Sequence, residues 1–375
     1  MNLNYNYIIG FIISISFYVH AFLLPKNLAP VDSIEKSSSS LIQKIWEKEN
    51  NSLSSTNVLI SNDWIYFTLD SGQIYCLDFS GKVKWMNEVQ GFIKNNSVLY
   101  KDLFLLATEE GDLYSINSNT GDVIQVVGIG ENITTNLLLI DYTSANIKSK
   151  AVVLGTSEGN VFCYDAFTFE LLWRRNISTN SIISTPIFNK DRLVFISDNS
   201  SLYCVNSKTG SLNWKFEFAE NKIIDKINYP LSDGTNIFSL APDRNLFAMD
   251  LLLGKKTWSL NTKGTLNQTY ISPDNQKIFL IDNKGLMTIY NSKNGREIAK
   301  IDFKKSETTN FVLSSNQLNT LIGFSDGSLY TFDSNFLTRE LIEATQILIS
   351  SLNGIGENEF FIKDINGKIT LYKIE

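Results

Sequence analysis

The sequence predicts an all-β fold, an eight-bladed β-propeller of four-stranded antiparallel blades that is closed by an N-terminal strand around Trp46. Two observations carry this prediction. One strand–turn–strand pattern recurs eight times, at intervals of about 40 residues, and the last copy lacks the final strand that the other copies have. Repeats of roughly 40–45 residues with several strands each are typical of radial β architectures.

The repeat is clearest in SLYCVNSKTGSLNW, residues 201–214. Alternation of apolar and polar residues is typical of a half-buried strand, and Asn, Ser, Lys, Thr and Gly between two such runs predict a tight turn. One slot of the pattern, aromatic in six of the eight copies, recurs every 39 to 48 residues at Tyr75, Tyr114, Phe162, Tyr203, Phe247, Thr288, Tyr330 and Thr370.

Each copy resolves into four strands, A to D, which the fourth copy places at 184–190, 192–198, 201–206 and 211–218. The eighth copy has no D strand. IQKIWEKEN, residues 42–50, precedes the first A strand and contains Trp46, which fits the D-strand tryptophan slot. Pairing this segment with the eighth copy would close the ring over residues 41–375 and remove exposed edges.

The D-strand tryptophans are predicted to dock one blade on the next, because each can bury a large apolar area. They are Trp46, Trp85, Trp173, Trp214 and Trp258. In blades 2, 6 and 7 the slot holds Gln125, Ala299 and Leu341, so weaker contacts are expected there. The turn between strands C and D carries a glycine for positive φ, except in blades 3 and 7, whose turns are expected to differ.

Residues 1–24 carry no charged side chain. Val19-His20-Ala21 fits the small-x-small rule for signal peptidase, which predicts a signal peptide over residues 1–21. The alternative is an uncleaved membrane anchor to about residue 24, because about 18 apolar residues approach the length of a bilayer span. Either interpretation predicts an exported, periplasmic chain in which residues 22–40 form a flexible tether.

The chemistry of the chain argues against an enzyme. Its one histidine, His20, lies in the targeting segment, which excludes a Ser-His-Asp triad, a Cys-His dyad and an imidazole metal site from the rest. We predict no catalytic residue, cofactor or metal. The net charge of −6 argues against nucleic acid as a partner.

The three cysteines, Cys76, Cys163 and Cys204, occupy the same slot of different copies. Ser115, Ala248 and Thr331 fill this slot elsewhere, so it favours a small residue, and cysteine serves there as a small hydrophobe. Equivalent slots of different blades are expected to lie too far apart for a disulfide.

The run from Leu202 to Trp214 resembles the pyrroloquinoline-quinone-type propeller repeat, and the export signal with eight such repeats resembles the BamB family of outer-membrane β-barrel assembly. The resemblance implies a non-enzymatic, monomeric scaffold that binds a barrel-assembly subunit. Family members are usually lipoproteins with a cysteine directly after the signal peptide. No cysteine precedes Cys76, so we expect no lipid anchor and a chain reaching the membrane through a partner or an uncleaved N-terminus.

Two other functions remain open. The resemblance in repeat type would also imply a quinone-dependent dehydrogenase. Those enzymes, however, are longer chains and carry a pair of adjacent cysteines, which this sequence lacks. A eukaryotic luminal or secreted interaction module would fit the glycosylation sequons at Asn132 and Asn176.

Two long connections are candidate partner surfaces, since loops on a rigid ring collect contacts. The link between blades 4 and 5, residues 219–230, places Asp225, Lys226, Asn228 and Tyr229 in a predicted loop. The A–B link of blade 3, residues 141–150, accounts for the 48-residue interval.

Overall fold

A computed structural model describes residues 34–36, 42–61, 63–144, 147–218, 230–241, 243–262, 266–272, 274–282, 284–304, 311–315, 320–324, 326–332, 338–342, 348–355 and 359–374. In these ranges every regular element is a β-strand. The predicted signal peptide or anchor, most of the predicted tether and nearly all of the 219–230 link lie outside the described residues.

The first half of the chain forms two N-terminal strands and four sheets. The N-terminal strands are β1 (Ile34–Lys36) and β2 (Ile42–Lys48). Blade 1 contains β3 (Leu59–Ile60), β4 (Ile65–Thr68), β5 (Gln73–Leu77) and β6 (Val83–Glu88). Blade 2 contains β7 (Val98–Tyr100), β8 (Leu103–Ala107), β9 (Asp112–Asn117) and β10 (Val123–Gly128). Blade 3 contains β11 (Leu138–Ser144), β12 (Ile147–Gly155), β13 (Asn160–Asp165) and β14 (Leu171–Asn176). Blade 4 contains β15 (Ile187–Asn189), β16 (Arg192–Ser197), β17 (Ser201–Asn206) and β18 (Leu212–Glu217).

The second half forms four more sheets. Blade 5 contains β19 (Leu231–Ser232), β20 (Asn236–Leu240), β21 (Asn245–Asp250) and β22 (Lys256–Asn261). Blade 6 contains β23 (Leu266–Ile271), β24 (Lys277–Asp282), β25 (Leu286–Asn291) and β26 (Glu297–Asp302). Blade 7 contains β27 (Phe311–Ser315), β28 (Thr320–Phe324), β29 (Leu329–Phe332) and β30 (Thr338–Ile342). Blade 8 contains β31 (Ile349–Ile355), β32 (Glu359–Asp364) and β33 (Ile369–Ile374), with β2 as its fourth strand.

Within each blade, strands A to D are antiparallel neighbours in chain order, which confirms the predicted propeller of four-stranded blades. In blade 4 the register aligns Val194, Cys204 and Trp214 across strands B, C and D. A β-bulge interrupts the C–D pairing just before the tryptophan slot, where Asn213 is the extra residue. Such a bulge increases the local twist and re-aims the side chains that follow it.

The blades pack in a closed order, because each of eight buried apolar clusters combines residues from two neighbouring sheets. Tyr66 of blade 1 packs in one cluster with Phe104 of blade 2, and the series continues pairwise to blades 7 and 8. The eighth cluster joins Phe361 of blade 8 to Phe67 of blade 1. The core is therefore a set of seams between sheets, each sheet contributing both of its faces.

The N-terminal strand β2 closes this order, as predicted. It pairs antiparallel with β33, and Trp46 lies opposite Leu371. Lys368, in the turn directly before β33, forms ion pairs with Glu47 and Glu49 at 3.2 and 3.4 Å. A strand from the start of the sequence thus completes the sheet at its end.

Two segments outside the predicted strands form strands in the structure. Ile34–Lys36, in the predicted tether, form β1 and pair in parallel with β30. Residues 141–150 are mainly an extension of strands A and B of blade 3, with Ser144 opposite Ile147, and not a loop. The ladder continues because Lys150 and Asp141 lie opposite each other and form an ion pair at 2.6 Å.

Candidate protein-binding surface

The D-strand tryptophans attach five of the eight outer strands to the following blade. Each indole N–H donates to a backbone carbonyl in the next blade's C–D turn. The pairs are Trp46 with Phe79 at 2.8 Å, Trp85 with Ser118 at 2.8 Å, Trp173 with Ser207 at 2.9 Å, Trp214 with Leu251 at 3.0 Å and Trp258 with Ser292 at 3.2 Å. The largest side chain of the outer strand is therefore held by both packing and a hydrogen bond.

The glycine of the C–D turn is required by the same contact. A Cβ at Gly254 would lie 2.5 Å from Cδ2 of Trp214, and one at Gly121 would lie 2.6 Å from Cε3 of Trp85. Both glycines also have positive φ, of +65° and +83°. The tryptophan of one blade thus packs in the space left by the absent side chain of the glycine in the next blade.

Blade 3 lacks the glycine because blade 2 lacks the tryptophan. Phe169 takes the glycine position with φ of 56°, and its N–H donates to the Asp165 carbonyl at 3.0 Å, as Gly210 donates to Asn206 at 2.8 Å. The expectation that this turn would differ in backbone shape is therefore wrong. The Phe169 ring is buried in the cluster between blades 2 and 3, in the seam where Gln125 leaves room. The corresponding turn of blade 7, residues 333–337, lies outside the described residues.

A buried carboxylate lies in the same seam. Glu131, in the link from blade 2 to blade 3, accepts hydrogen bonds from Thr156 Oγ1 at 2.5 Å and from Asn160 Nδ2 at 2.9 Å. Arg174 forms an ion pair with it at 2.5 Å and stacks on Phe162, with 5.0 Å from Cζ to the ring centroid. Because every partner belongs to blade 3, the carboxylate anchors the link to that blade.

A buried lysine lies at the closing seam. Lys363 of β32 is fully buried, and its Nζ donates to the carbonyl oxygen of Ser54 at 2.9 Å and to Ser54 Oγ. Burial lowers the pKa of Lys363 to about 7, against the opposing effect of Asp70 and Asp364. Its neutral form can therefore be populated near neutral pH.

The three cysteines have free thiols and are buried. Burial raises the pKa of Cys76 to about 11 and that of Cys163 and Cys204 to about 12. Because the thiolate is the reactive form, none of the three thiols suits nucleophilic chemistry at neutral pH. Across the described ranges, no group of three or more His, Cys, Asp or Glu side chains lies together in a way that could hold a metal ion.

The predicted partner residues Asp225, Lys226, Asn228 and Tyr229 lie outside the described residues. The residues at the two ends of their link are described, and Phe218 and Pro230 are both buried. The link is a D–A connection, and such connections share one face of the ring with the B–C turns. In the part of the chain that the structure describes, no helix is long and apolar enough to cross a membrane.

A second candidate on that face was not predicted from the sequence. Phe92, in the D–A link from blade 1 to blade 2, is 55% exposed. Its N–H donates to Glu110 Oε2 at 2.9 Å, and its carbonyl accepts from the Glu109 N–H at 2.8 Å. These bonds hold the backbone of Phe92, and exposed aromatic side chains are enriched at protein interfaces, so Phe92 is a candidate contact. The one available sequence signal was an aromatic residue after Gly91 in a link, which is a weak one.

The fold resembles that of a solved relative. The crystal structure of BamB from Moraxella catarrhalis matches with a TM-score of 0.70 and 12% identity, over 89% of this chain and 100% of that chain. BamB of Shewanella oneidensis is 22% identical over 250 residues, 63% of this chain and 60% of that protein. An uncharacterized protein of Rickettsia prowazekii is 23% identical over 219 residues, 51% of this chain and 52% of its own length.

These alignments span about half to three-fifths of the two curated relatives. A family model covers more of the chain: the model described as outer membrane protein assembly factor BamB, a family of the PQQ-repeat type, matches residues 43–185 and 170–335. These ranges include all of blades 1 to 6 and all but the first residue of the closing strand. On this match, the chain belongs to the BamB family of PQQ-repeat propellers.

Proposed function

We propose that this chain is a non-enzymatic scaffold that assists the assembly and insertion of outer-membrane β-barrel proteins. The observation that carries the proposal is the family match over residues 43–335, in a chain whose ring is closed by its own N-terminal strand. The eight sheets then act as one eight-bladed ring, a monomeric platform on which loops are presented.

The chemistry of the described residues favours binding over catalysis. The three thiols are buried with raised pKa values, and the chain has no histidine after His20. The family includes quinone-dependent enzymes by repeat type, yet no two cysteines here are adjacent. A scaffold therefore accounts for the residues better than a dehydrogenase does.

The proposed partner is a barrel-assembly subunit, which would bind to the face of the ring that carries the D–A links. Asp225, Lys226, Asn228 and Tyr229 would supply charge and one aromatic ring, and Phe92 would supply a second exposed ring. The proposed location is the periplasm, with the N-terminal segment as an export signal or an uncleaved anchor. A pair of aromatic contacts on one rigid face is a common basis of interface affinity.

The test is capture of envelope proteins by the purified chain. We expect a barrel-assembly subunit to be recovered by the wild type, and the double change Asp225→Ala with Tyr229→Ala to weaken binding by about 2–4 kcal/mol. The matched control is Asp122→Ala with Phe167→Ala, an exposed acidic residue and an exposed aromatic residue in C–D turns on the opposite face.

Three results would count against the proposal at different levels. Recovery of no barrel-assembly subunit by the wild type would remove the scaffold function. Equal recovery by the 225/229 variant would remove the link as the contact surface. Equal loss in both double variants, with unchanged melting, would show that the two faces cannot be distinguished and would remove the proposed face.

A further inference from the structure

The outer strand of blade 2 differs from the other outer strands in its surface. β10 is the last strand of its sheet, and among the described residues none pairs with its outer edge. Its apolar side chains are exposed: Val123 by 42%, Ile124 by 56% and Val126 by 46%. In five blades a tryptophan in this slot fixes part of the outer strand on the neighbouring blade. Ala299 fills the slot of blade 6 and is buried, whereas Gln125 of β10 is itself exposed.

β10 is also the one D strand without a charged residue. Its sequence is VIQVVG. Every other D strand carries at least one lysine or arginine, namely Lys44, Lys84, Arg174, Lys215, Lys256, Lys300 and Arg339. Charged side chains on edge strands oppose the addition of a further strand. Seven outer strands carry such a charge and β10 does not. The charge on β30 does not prevent addition of β1, in which Glu35 lies opposite Arg339 and supplies the opposite charge.

An equivalent edge of the same ring already accepts a fifth strand. Ile34–Lys36 pair in parallel with Thr338–Glu340 on the outer side of β30, so that blade 7 has five strands. The position beyond strand D is therefore sterically accessible to an extended segment. The occupant at blade 7 is a single short strand and not a folded domain.

The size of the β10 edge favours the same kind of occupant. Six residues on one strand are far fewer than the roughly 20–30 residues a side that a stable complex of two folded proteins uses. An extended segment needs only its own main-chain groups and alternate side chains to add to a sheet. The edge is thus too small for a stable dimer of this chain and sufficient for one added strand.

We propose that the outer edge of β10 is an acceptor for an extended segment of another polypeptide, in which β-branched or apolar residues alternate with small polar ones. The apolar residues of the segment would pack beside Ile124 and Val126, and its backbone would pair with that of Val123–Gly128. This acceptor goes beyond the proposed function, because it would hold whether or not the chain binds a barrel-assembly subunit.

The test uses a fluorescein-labelled twelve-residue peptide of alternating valine and threonine. We expect its anisotropy to rise on titration with the full chain, and the double variant Ile124→Lys with Val126→Lys to bind at least about tenfold more weakly. The two lysines occupy positions where blade 1 has Lys84 and blade 4 has Lys215, so the strand is known to accommodate them.

The matched control is Leu212→Lys, in the outer strand of blade 4. Leu212 is 55% exposed and lies opposite Val205 as Val123 lies opposite Ile116. We expect this variant to bind the peptide as the wild type does. A second measurement needs no variant: hydrogen exchange of the Val123–Gly128 amides should slow when peptide is added.

Three outcomes would overturn the proposal. The first is an unchanged anisotropy with the wild type. The second is equal binding by the 124/126 variant, or by a peptide whose central residue is proline. The third is a wild type that sediments as a dimer while the 124/126 variant is monomeric, because the edge would then be occupied by a second copy.

Discussion

The two seams that flank blade 2 each contain a large aromatic side chain, but it comes from the earlier blade in one seam and from the later blade in the other. Between blades 1 and 2, Trp85 of the earlier blade covers Gly121 of the later one. Between blades 2 and 3, the earlier blade offers Gln125 and the later one fills the seam with Phe169. In both seams one large aromatic ring fills this place, so the blade that supplies the ring can change while the packing is kept.

The carboxylates of these two seams also differ. At the first seam Glu110, from the B–C turn of the later blade, reaches the link at Gly91, where an added Cβ would lie 2.5 Å from Glu110 Oε2. At the second seam Glu131 stands in the link, at the position equivalent to Gly91, and reaches into the later blade. Blade 3 keeps a glutamate, Glu158, at the position of Glu110, but Glu158 is exposed, so the second seam adds a buried carboxylate from the link.

The largest expected effect breaks the first seam and leaves the second intact. Trp85→Ala should destabilise the protein by about 3–5 kcal/mol, because it removes a buried indole and its hydrogen bond to Ser118. Gln125→Ala, at the equivalent slot of blade 2, should change stability by about 0.5 kcal/mol or less. Urea unfolding of both variants measures the difference. Equal losses would show that the slot matters in both seams and would contradict the exchange.

A second prediction compares the buried charges of two seams, Glu131 with its arginine and Lys363 without a paired carboxylate. The pKa of Lys363 is lowered from 10.5 to about 7 in the folded protein. Between these values the unfolded chain binds a proton that the folded chain does not, so stability from this group rises with pH from about 7 to 10.5. Below pH 7 the full cost of the buried charge remains.

Lys363→Met should therefore stabilise the protein at pH 6 by about 2 kcal/mol, below the limit of about 5 kcal/mol set by the shift, and the gain should fade towards pH 10. The control is Lys373→Met, an exposed lysine of the same blade. The measurement is the wild-type-minus-variant difference in melting temperature across this range. A difference that is constant with pH would show that Lys363 titrates normally.

The smallest expected effect sharpens the comparison at the second seam. Glu131→Gln keeps the shape of the side chain but turns an acceptor towards Thr156, Asn160 and Arg174 into a partial donor. We expect a loss of about 1–2 kcal/mol. Glu158→Gln, in the exposed B–C turn of blade 3, should stay within about 0.5 kcal/mol. The free energy of unfolding, measured by chemical denaturation at low and high salt, would separate the contribution of the ion pair from that of the hydrogen bonds. If Glu131→Gln lost no stability at either salt concentration, the cluster would add no stability.

Much of the fold could be predicted from the sequence, because one strand–turn–strand pattern recurs in every blade and most copies pack in the same way. The tryptophan slot, the turn glycine and the strand alternation each follow from local chemistry, and the missing last strand indicated β2. The Phe169 exchange was not foreseen, because a non-glycine residue at positive φ becomes favourable only when the neighbouring slot is empty. A polar hairpin such as 141–150 resembles a loop until its cross-strand partners are known.

The candidate site was harder to predict than the fold. β1 has three residues, too few for a periodic signal, so its pairing with β30 depends on an edge that only the assembled blade offers. Phe92 and β10 are recognisable by their exposure, which depends on neighbours distant in sequence. Asp225, Lys226, Asn228 and Tyr229 remain predictions.

The pairing of Trp46 with Leu371 has a consequence for biosynthesis. The closing strand is made first and its partner is made after all the other blades. Until the residues of blade 8 have been made, β2 has no partner and the ring cannot close. Pairing of segments so distant in sequence is intrinsically slow. During that interval the unpaired strand edges are open to aggregation, which closure of the ring removes.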